Sequence, residues 1–131
     1  RDVERSRGLG DVYKRQMTSR DCIFCNIIRD PVHEDPIYRD ERVIVVKDIN
    51  PKAPIHLLII PTIHLGSLAY IGPGQVPIMG HMFVVAEEMA RREGATLSGY
   101  RLSLNQGQDS GQEIEHLHMH LLAGRQLASM G

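Results

Sequence analysis

The chain has 131 residues, 42% of them hydrophobic and 24% charged, and its 15 Lys and Arg against 16 Asp and Glu leave a formal net charge of -1. That length allows one domain with one substantial core. The even charge balance excludes the broad electropositive face that a long nucleic acid needs, yet leaves room for a local pocket that takes one small anion.

Residues 1–16 are charged and lack an apolar core segment, and they precede Met17-Thr18-Ser19, which reads as a natural start. Asp11 to Gln16 resembles translated adapter or vector sequence more than a targeting peptide, so 1–16 is expected to be a non-native or disordered extension and 17–131 a single domain. Next, apolar residues of Cys22-Ile23-Phe24-Cys25-Asn26-Ile27-Ile28 recur at helical spacing behind Asp21 as a candidate N-cap, predicting a short helix that ends near Asp30-Pro31. Ile37-Tyr38 and Val43 to Val46, separated by the charged turn Arg39-Asp40-Glu41-Arg42, predict an antiparallel pair.

After the breaker Asn50-Pro51-Lys52-Ala53-Pro54, Ile55 to Ile60 predicts a further strand stopped by Pro61. This is the longest apolar stretch near the middle of the chain, and it is far shorter than the roughly 20 residues that cross a bilayer. Gly66 to Pro77 carries weak local signals, with room for a helical part. Met79, Met82, Phe83, Ala86, Met89 and Ala90 then recur in steps of three and four, with Pro77 near the first turn and Gly94 as the residue past the end, which predicts the main helix. That stripe is read as core or dimer contact. Tyr100 to Leu104 and His116 to Leu122 complete the strands, joined by the loop Gln106 to Gln112. The sum is an α+β fold with about five antiparallel strands, a short N-terminal helix and one main helix.

The segment that carries chemistry is His116-Leu117-His118-Met119-His120-Leu121-Leu122. On a strand, the two-residue period puts the three imidazoles on one face and the apolar side chains on the other. A single strand histidine is more often a hydrogen-bonded filler than a catalyst. Three together would strand several buried nitrogens unless they hold a metal, an anion or both.

This segment fits the His-φ-His-φ-His-φ-φ signature (φ apolar) of the histidine-triad family, and Ala123-Gly124-Arg125-Gln126 resembles that family's Hint branch. The similarity runs from about Asp21 to Gln126 and includes Asp48 to Pro54, His56 to Pro61, Gly99-Tyr100-Arg101 and Asn105. It implies that His118 attacks the α-phosphorus of a purine nucleotide and that water hydrolyses the resulting nucleotidyl-histidine. By the same resemblance His120 contacts the phosphate or leaving atom, while His116 and His56 form a relay behind the nucleophile. Asn105 and the backbone N–H groups of Gly111, Gln112 and Glu113 border the phosphate, Asp48 takes the ribose hydroxyls, and Ile23, Phe24, Ile27, Val46 and Ile49 line the base pocket. Val46 stands where the family has an aromatic residue, and Glu113 stands where it has a small serine. The tail Leu127 to Gly131 lacks the Trp and Pro often found in that branch.

Cys22 and Cys25 are too few for a secreted disulfide scaffold and have metal-ligand spacing, which favours a reduced compartment such as the cytoplasm. Zinc needs two further ligands. Some histidine-triad proteins bind structural zinc at the positions matched by Cys22, Cys25, His64 and His116, so a structural zinc, and no catalytic cofactor, is the expectation. His33 and His81 are not chosen as site residues. The leading reading is hydrolysis of nucleoside 5′-phosphoramidates, AMP-lysine adducts or acyl-adenylates to AMP. The alternatives are dinucleoside polyphosphate hydrolysis and a purine nucleotide-binding scaffold without turnover. A homodimer with sheets continued across its two-fold axis is implied, with no membrane or long nucleic acid as partner.

Overall fold

The computed structural model describes residues 22–30 and 35–130. Two long apolar runs make its centre. Val43 to Val46 lie in β2 (Val43–Lys47), and the run from residue 55 forms β3 (Ile55–Pro61), which includes the proline. Their β-branched side chains suit a pleated surface. Both strands are buried on two faces, which is why they read as continuous hydrophobic runs rather than as alternation. They pair antiparallel with Val45 opposite Ile59.

A short β1 (Tyr38–Arg39) folds back on β2, with Tyr38 opposite Val45. Asp40 closes that turn, its Oδ1 accepting from the backbone N–H groups of Arg42 and Val43 at 2.7 and 2.8 Å. On the other side of β3 lies β5 (Met119–Ala123), and β4 (Tyr100–Ser103) pairs with its outer edge. The result is one five-stranded antiparallel sheet in the order β1-β2-β3-β5-β4.

The pleat sorts the side chains into two clusters. Val43, Val45, Leu57, Ile59, Leu117, Met119 and Leu121 join the core beneath the main helix, α2 (Val76–Arg92). Ile44, Val46, Leu58 and Ile60 point to the opposite face and meet Cys22, Phe24 and Cys25 of the short helix α1 (Ile23–Arg29) and its cap. Within α2 the buried residues are Ile78, Met82, Val85, Ala86, Met89 and Ala90. The helix ends in a Schellman turn: Gly94 has φ 75°, its N–H donates to Arg91 O at 3.1 Å, and Ala95 N–H donates to Ala90 O at 2.8 Å.

Several expectations need correction. Phe83 is half exposed, whereas Ile78 and Val85, absent from the sequence stripe, are buried; the stripe was read one step too far around the helix. Cys22 caps α1, its Sγ accepting from Cys25 N–H at 3.4 Å. Asp21, His33 and the 1–16 extension lie outside the described residues. The weakly patterned stretch after Pro61 contains two single-turn 3-10 helices, Leu68–Tyr70 and Pro73–Gln75, and β4 stops one residue early at Ser103.

The most consequential difference is that the strand expected over His116–Leu122 begins only at Met119. Continuing the β3 pairing would place Leu117 opposite Pro61, which has no N–H to give. The Pro61 carbonyl instead accepts from the His116 ring, and Leu117 N–H donates to Leu65 O at 2.6 Å. His116 and His118 therefore precede the strand, although side chains still alternate: Leu117 enters the α2 core and the histidines turn the other way.

Beyond β5 the chain presses against the turn before β3. Gly124 has φ 100°, and a Cβ there would stand 2.8 Å from the Cβ of Pro54. Gly124→Ala is expected to destabilise the protein by about 1–3 kcal/mol through backbone strain and this overlap, read as a lower midpoint in urea unfolding with an unchanged slope.

Candidate functional site

The β3–β5 register sets His56 and His120 on the α1 face of the sheet. Leu58 opposes His120 and His56 opposes Leu122, so the two histidines are diagonal neighbours. Nε2 of His56 lies 2.9 Å from Nδ1 of His120. The proton on each ring follows from its partners. Lys52 donates its backbone N–H to Nδ1 of His56 at 3.0 Å, so in the neutral ring the proton sits on Nε2. That Nε2–H donates to Nδ1 of His120, and the proton of His120 is left on its own Nε2.

His118 has the opposite tautomer. Its Nδ1 lies 2.7 Å from the carbonyl oxygen of His116, and a carbonyl only accepts, so Nδ1 carries the proton and Nε2 holds a bare lone pair. The ring is buried against Phe24 at a centroid distance of 5.0 Å, and it stands 5.0 Å from the ring of His120. One imidazole with a free lone pair therefore sits beside another that presents an N–H. Such a pair can attack an electrophilic centre with one ring while donating to its oxygen with the other.

Electrostatics favours neutral rings. Burial pushes His120 down to about 4, with the neighbouring His118 and His56 adding to the shift. Burial also lowers His56, against the opposing pull of Asp48. Asp48 lies just past β2; its Oδ2 is 3.3 Å from Nε2 of His56 and its Oδ1 accepts from Asn50 N–H at 2.8 Å.

The imidazole of His116 does not stand behind His118, where the resemblance implies a relay; only its carbonyl does. Its ring turns away, and Nε2–H donates to Pro61 O at 2.9 Å. Nδ1 is thereby free, and it lies 3.3 Å from Sγ of Cys22 and 3.5 Å from Sγ of Cys25. Nδ1 of His64 is 3.2 Å from Sγ of Cys25. These four ligand atoms all lie within 4.8 Å of one another. A tetrahedral ion with metal–sulfur and metal–nitrogen bonds of about 2.3 and 2.1 Å would separate its sulfur and nitrogen ligands by about 3.6 Å, close to what is found. The cluster fits a metal chemically as well. Burial raises the Cys25 thiol to about 12, so it stays protonated unless a cation takes the thiolate.

The remaining expected site residues are placed unevenly. Phe24 and Val46 are buried and Ile27 half-buried in the α1-side cluster, whereas Ile23 and Ile49 are 54% and 78% exposed and present apolar surface to solvent. Asn105 donates to Ser110 O at 3.0 Å within its own loop. Two of the three amides expected to face an anion are turned inward: Gly111 N–H donates to Gln108 O and Gln112 N–H to Gly107 O, which closes a 3-10 turn over Gln108–Ser110. Glu113 is exposed.

One cluster escaped the sequence reading. His81 on α2 lies 2.7 Å from Oδ2 of Asp40, which also accepts from the Tyr38 hydroxyl at 2.7 Å. It ties the main helix to the β1–β2 turn; the signal available was only the i+3 spacing of His81 from Ile78 on the buried side of α2.

Residues 21–130 match the family described as scavenger mRNA decapping enzyme C-term binding. The chain is 40% identical over 112 residues to the purine nucleoside phosphoramidase of Escherichia coli strain K12, covering 86% of this chain and 94% of that protein. A histidine triad protein from Clostridium difficile, 39% identical, superposes with a TM-score of 0.82 over 88% of this chain and 100% of its own. A Zn-bound histidine triad family protein from Mycobacterium smegmatis, 29% identical, superposes with a TM-score of 0.71 over 82% and 78% of the two chains.

Because burial holds His120 and His56 below the ordinary imidazole value of 6.5, the unfolded chain binds protons there more readily than the folded one. Stability is therefore full above about pH 6.5 and declines as pH falls toward 4. Thermal melts of the chelator-treated protein are expected to show this decline, with a shallower slope for His120→Asn; identical slopes would remove His120 as a contributor.

Proposed function

We propose that this chain, which belongs to the histidine-triad family, is a purine nucleotide-binding hydrolase that cleaves nucleoside 5′-phosphoramidates, AMP-lysine adducts among them, and the related acyl-adenylates to AMP. The observation that carries this reading is the pair of opposite tautomers at His118 and His120, their rings 5.0 Å apart. The phosphoramidase relative supports the choice of substrate.

In this mechanism the lone pair on Nε2 of His118 attacks the α-phosphorus, the P–N bond of the substrate breaks, and the departing nitrogen takes a proton from solvent water and leaves as the amine; the water of the second step returns that proton when it attacks phosphorus. The new P–N bond to His118 generates positive charge on that ring, which the His116 carbonyl holds through Nδ1–H. Water then attacks phosphorus, releases AMP and restores the free imidazole. His120 donates Nε2–H to a phosphate oxygen, and His56 keeps that proton in place. Because the amides of Gly111 and Gln112 are occupied inside their loop, His120 is the principal donor. Phe24, Val46 and Ile27, with the exposed Ile23 and Ile49, offer apolar surface for a flat base, and Asp48 retains lone pairs for the ribose hydroxyls. Asn105 borders the phosphate, and Glu113 stands at the leaving group.

Zinc is the metal we assign to Cys22, Cys25, His64 and His116, in a structural role that joins α1 to the segments after β3 and before β5. A Zn-bound relative supports this assignment. A homodimer is the proposed assembly: β4 lies at an edge of the sheet, and Phe83 and Val84 on α2 are exposed. Native mass spectrometry tests both at once, with a dimer carrying two zinc ions expected. A zinc-free dimer removes the metal assignment, and a monomer removes the assembly.

The decisive assay compares an adenosine phosphoramidate with a diadenosine polyphosphate. Faster cleavage of the phosphoramidate is expected, with His118→Ala lowering kcat by roughly 10³-fold or more. Preference for the polyphosphate would reassign the substrate, and nucleotide binding with no turnover of either would make the protein a scaffold. Acid-labile adenylate trapped on His118 during turnover is the direct sign of the intermediate.

A further inference from the structure

We propose that Arg125 is a positioning residue for His120, acting through Lys52 and His56; the catalytic use of His120 rests on the functional reading above. Arg125 donates from Nη2 to the Lys52 carbonyl at 2.8 Å and from Nη1 to Gln126 O at 3.0 Å. Lys52 in turn donates its amide N–H to Nδ1 of His56 at 3.0 Å, and His56 donates from Nε2 to Nδ1 of His120 at 2.9 Å. The guanidinium thus holds the one residue whose backbone selects the tautomer of His56, and through it the proton on the outward Nε2 of His120.

The arrangement is built from both sides. Lys52 sits in a turn between Asp48 and His56 that has no strand ladder of its own, so its amide direction depends on local contacts. Its side chain is committed elsewhere, with Nζ donating to Asn50 O at 3.0 Å, which leaves the backbone to serve His56. From the opposite side the chain after β5 reaches this turn at Gly124, which leaves no room for a Cβ beside Pro54. That close approach brings the next residue, Arg125, within reach of the Lys52 carbonyl. If Lys52 turns about its Cα once its carbonyl is released, its amide N–H leaves Nδ1 of His56, and the proton of that ring can move there against the pull of Asp48 Oδ2, 3.3 Å from Nε2. Nε2 of His56 would then become an acceptor, Nδ1 of His120 would become its donor, and the outward nitrogen of His120 would lose the hydrogen that meets the phosphate.

Long-range ¹⁵N–¹H spectra of the histidine rings, recorded without substrate on the full-length wild type, Arg125→Ala and Arg125→Lys, test this. Circular dichroism and melting temperature serve as the check on folding. Wild type is expected to show His120 as the Nε2–H form, Arg125→Ala a mixture of forms, and Arg125→Lys, which can still donate to the carbonyl, most of the wild-type signal. With the phosphoramidate substrate, Arg125→Ala should lower kcat roughly tenfold while KM moves by less than about twofold. An Arg125→Ala protein with an unchanged His120 signal and unchanged kcat overturns the proposal, as does a rise in KM alone, which would make Arg125 a binding residue. Should the wild type cleave no phosphoramidate, a changed ring signal in Arg125→Ala still supports the positioning role while the functional reading falls.

Discussion

The site depends on one constraint: the backbone decides, ring by ring, which imidazole nitrogen keeps its hydrogen. The Pro61 carbonyl takes the Nε2–H of His116, the His116 carbonyl takes the Nδ1–H of His118, and the Lys52 amide occupies Nδ1 of His56. Only His120 is set by another side chain, and that side chain is already set. Free histidines exchange between tautomers at little cost; burial among fixed carbonyls and amides removes the choice. Low dielectric surroundings act in the same direction by keeping His120 and His116 neutral, each near 4.

Much of this frame was legible in the sequence. The apolar runs at Val43–Val46 and Ile55–Ile60, the Asp40 turn, the Gly94 helix stop and the alternating histidines are local signals, and local chemistry decides them. The start of β5 at Met119 was not legible, because it depends on what lies across the sheet. Pro61 is 58 positions away from Met119, and only the register shows that its missing N–H meets this part of the chain. Phe83 and Val85 were exchanged for a related reason. Helical periodicity marks a stripe, but which edge of the stripe is covered is set by the sheet beneath.

In the candidate site, residue types were legible and proton positions were not. The spacing of Cys22 and Cys25 suggested a metal, and the structure adds that His116 and His64 approach these sulfurs through Nδ1. That His116 helps His118 through its main chain and not its ring is invisible to any pattern of side chains. The same holds for Lys52, which meets Arg125 through its carbonyl and His56 through its amide. Apolar positions such as Ile23 and Ile49 fit equally well in a core or at a mouth, and only their exposure separates the two.

His116 belongs to two neighbourhoods at once. Its ring is anchored among sulfurs and its peptide oxygen grips the ring of His118, with only Cβ and Cα between ring and carbonyl. Displacing one end levers the other. A change at the sulfurs that moves the His116 ring would therefore reach His118 through the carbonyl that takes its Nδ1–H.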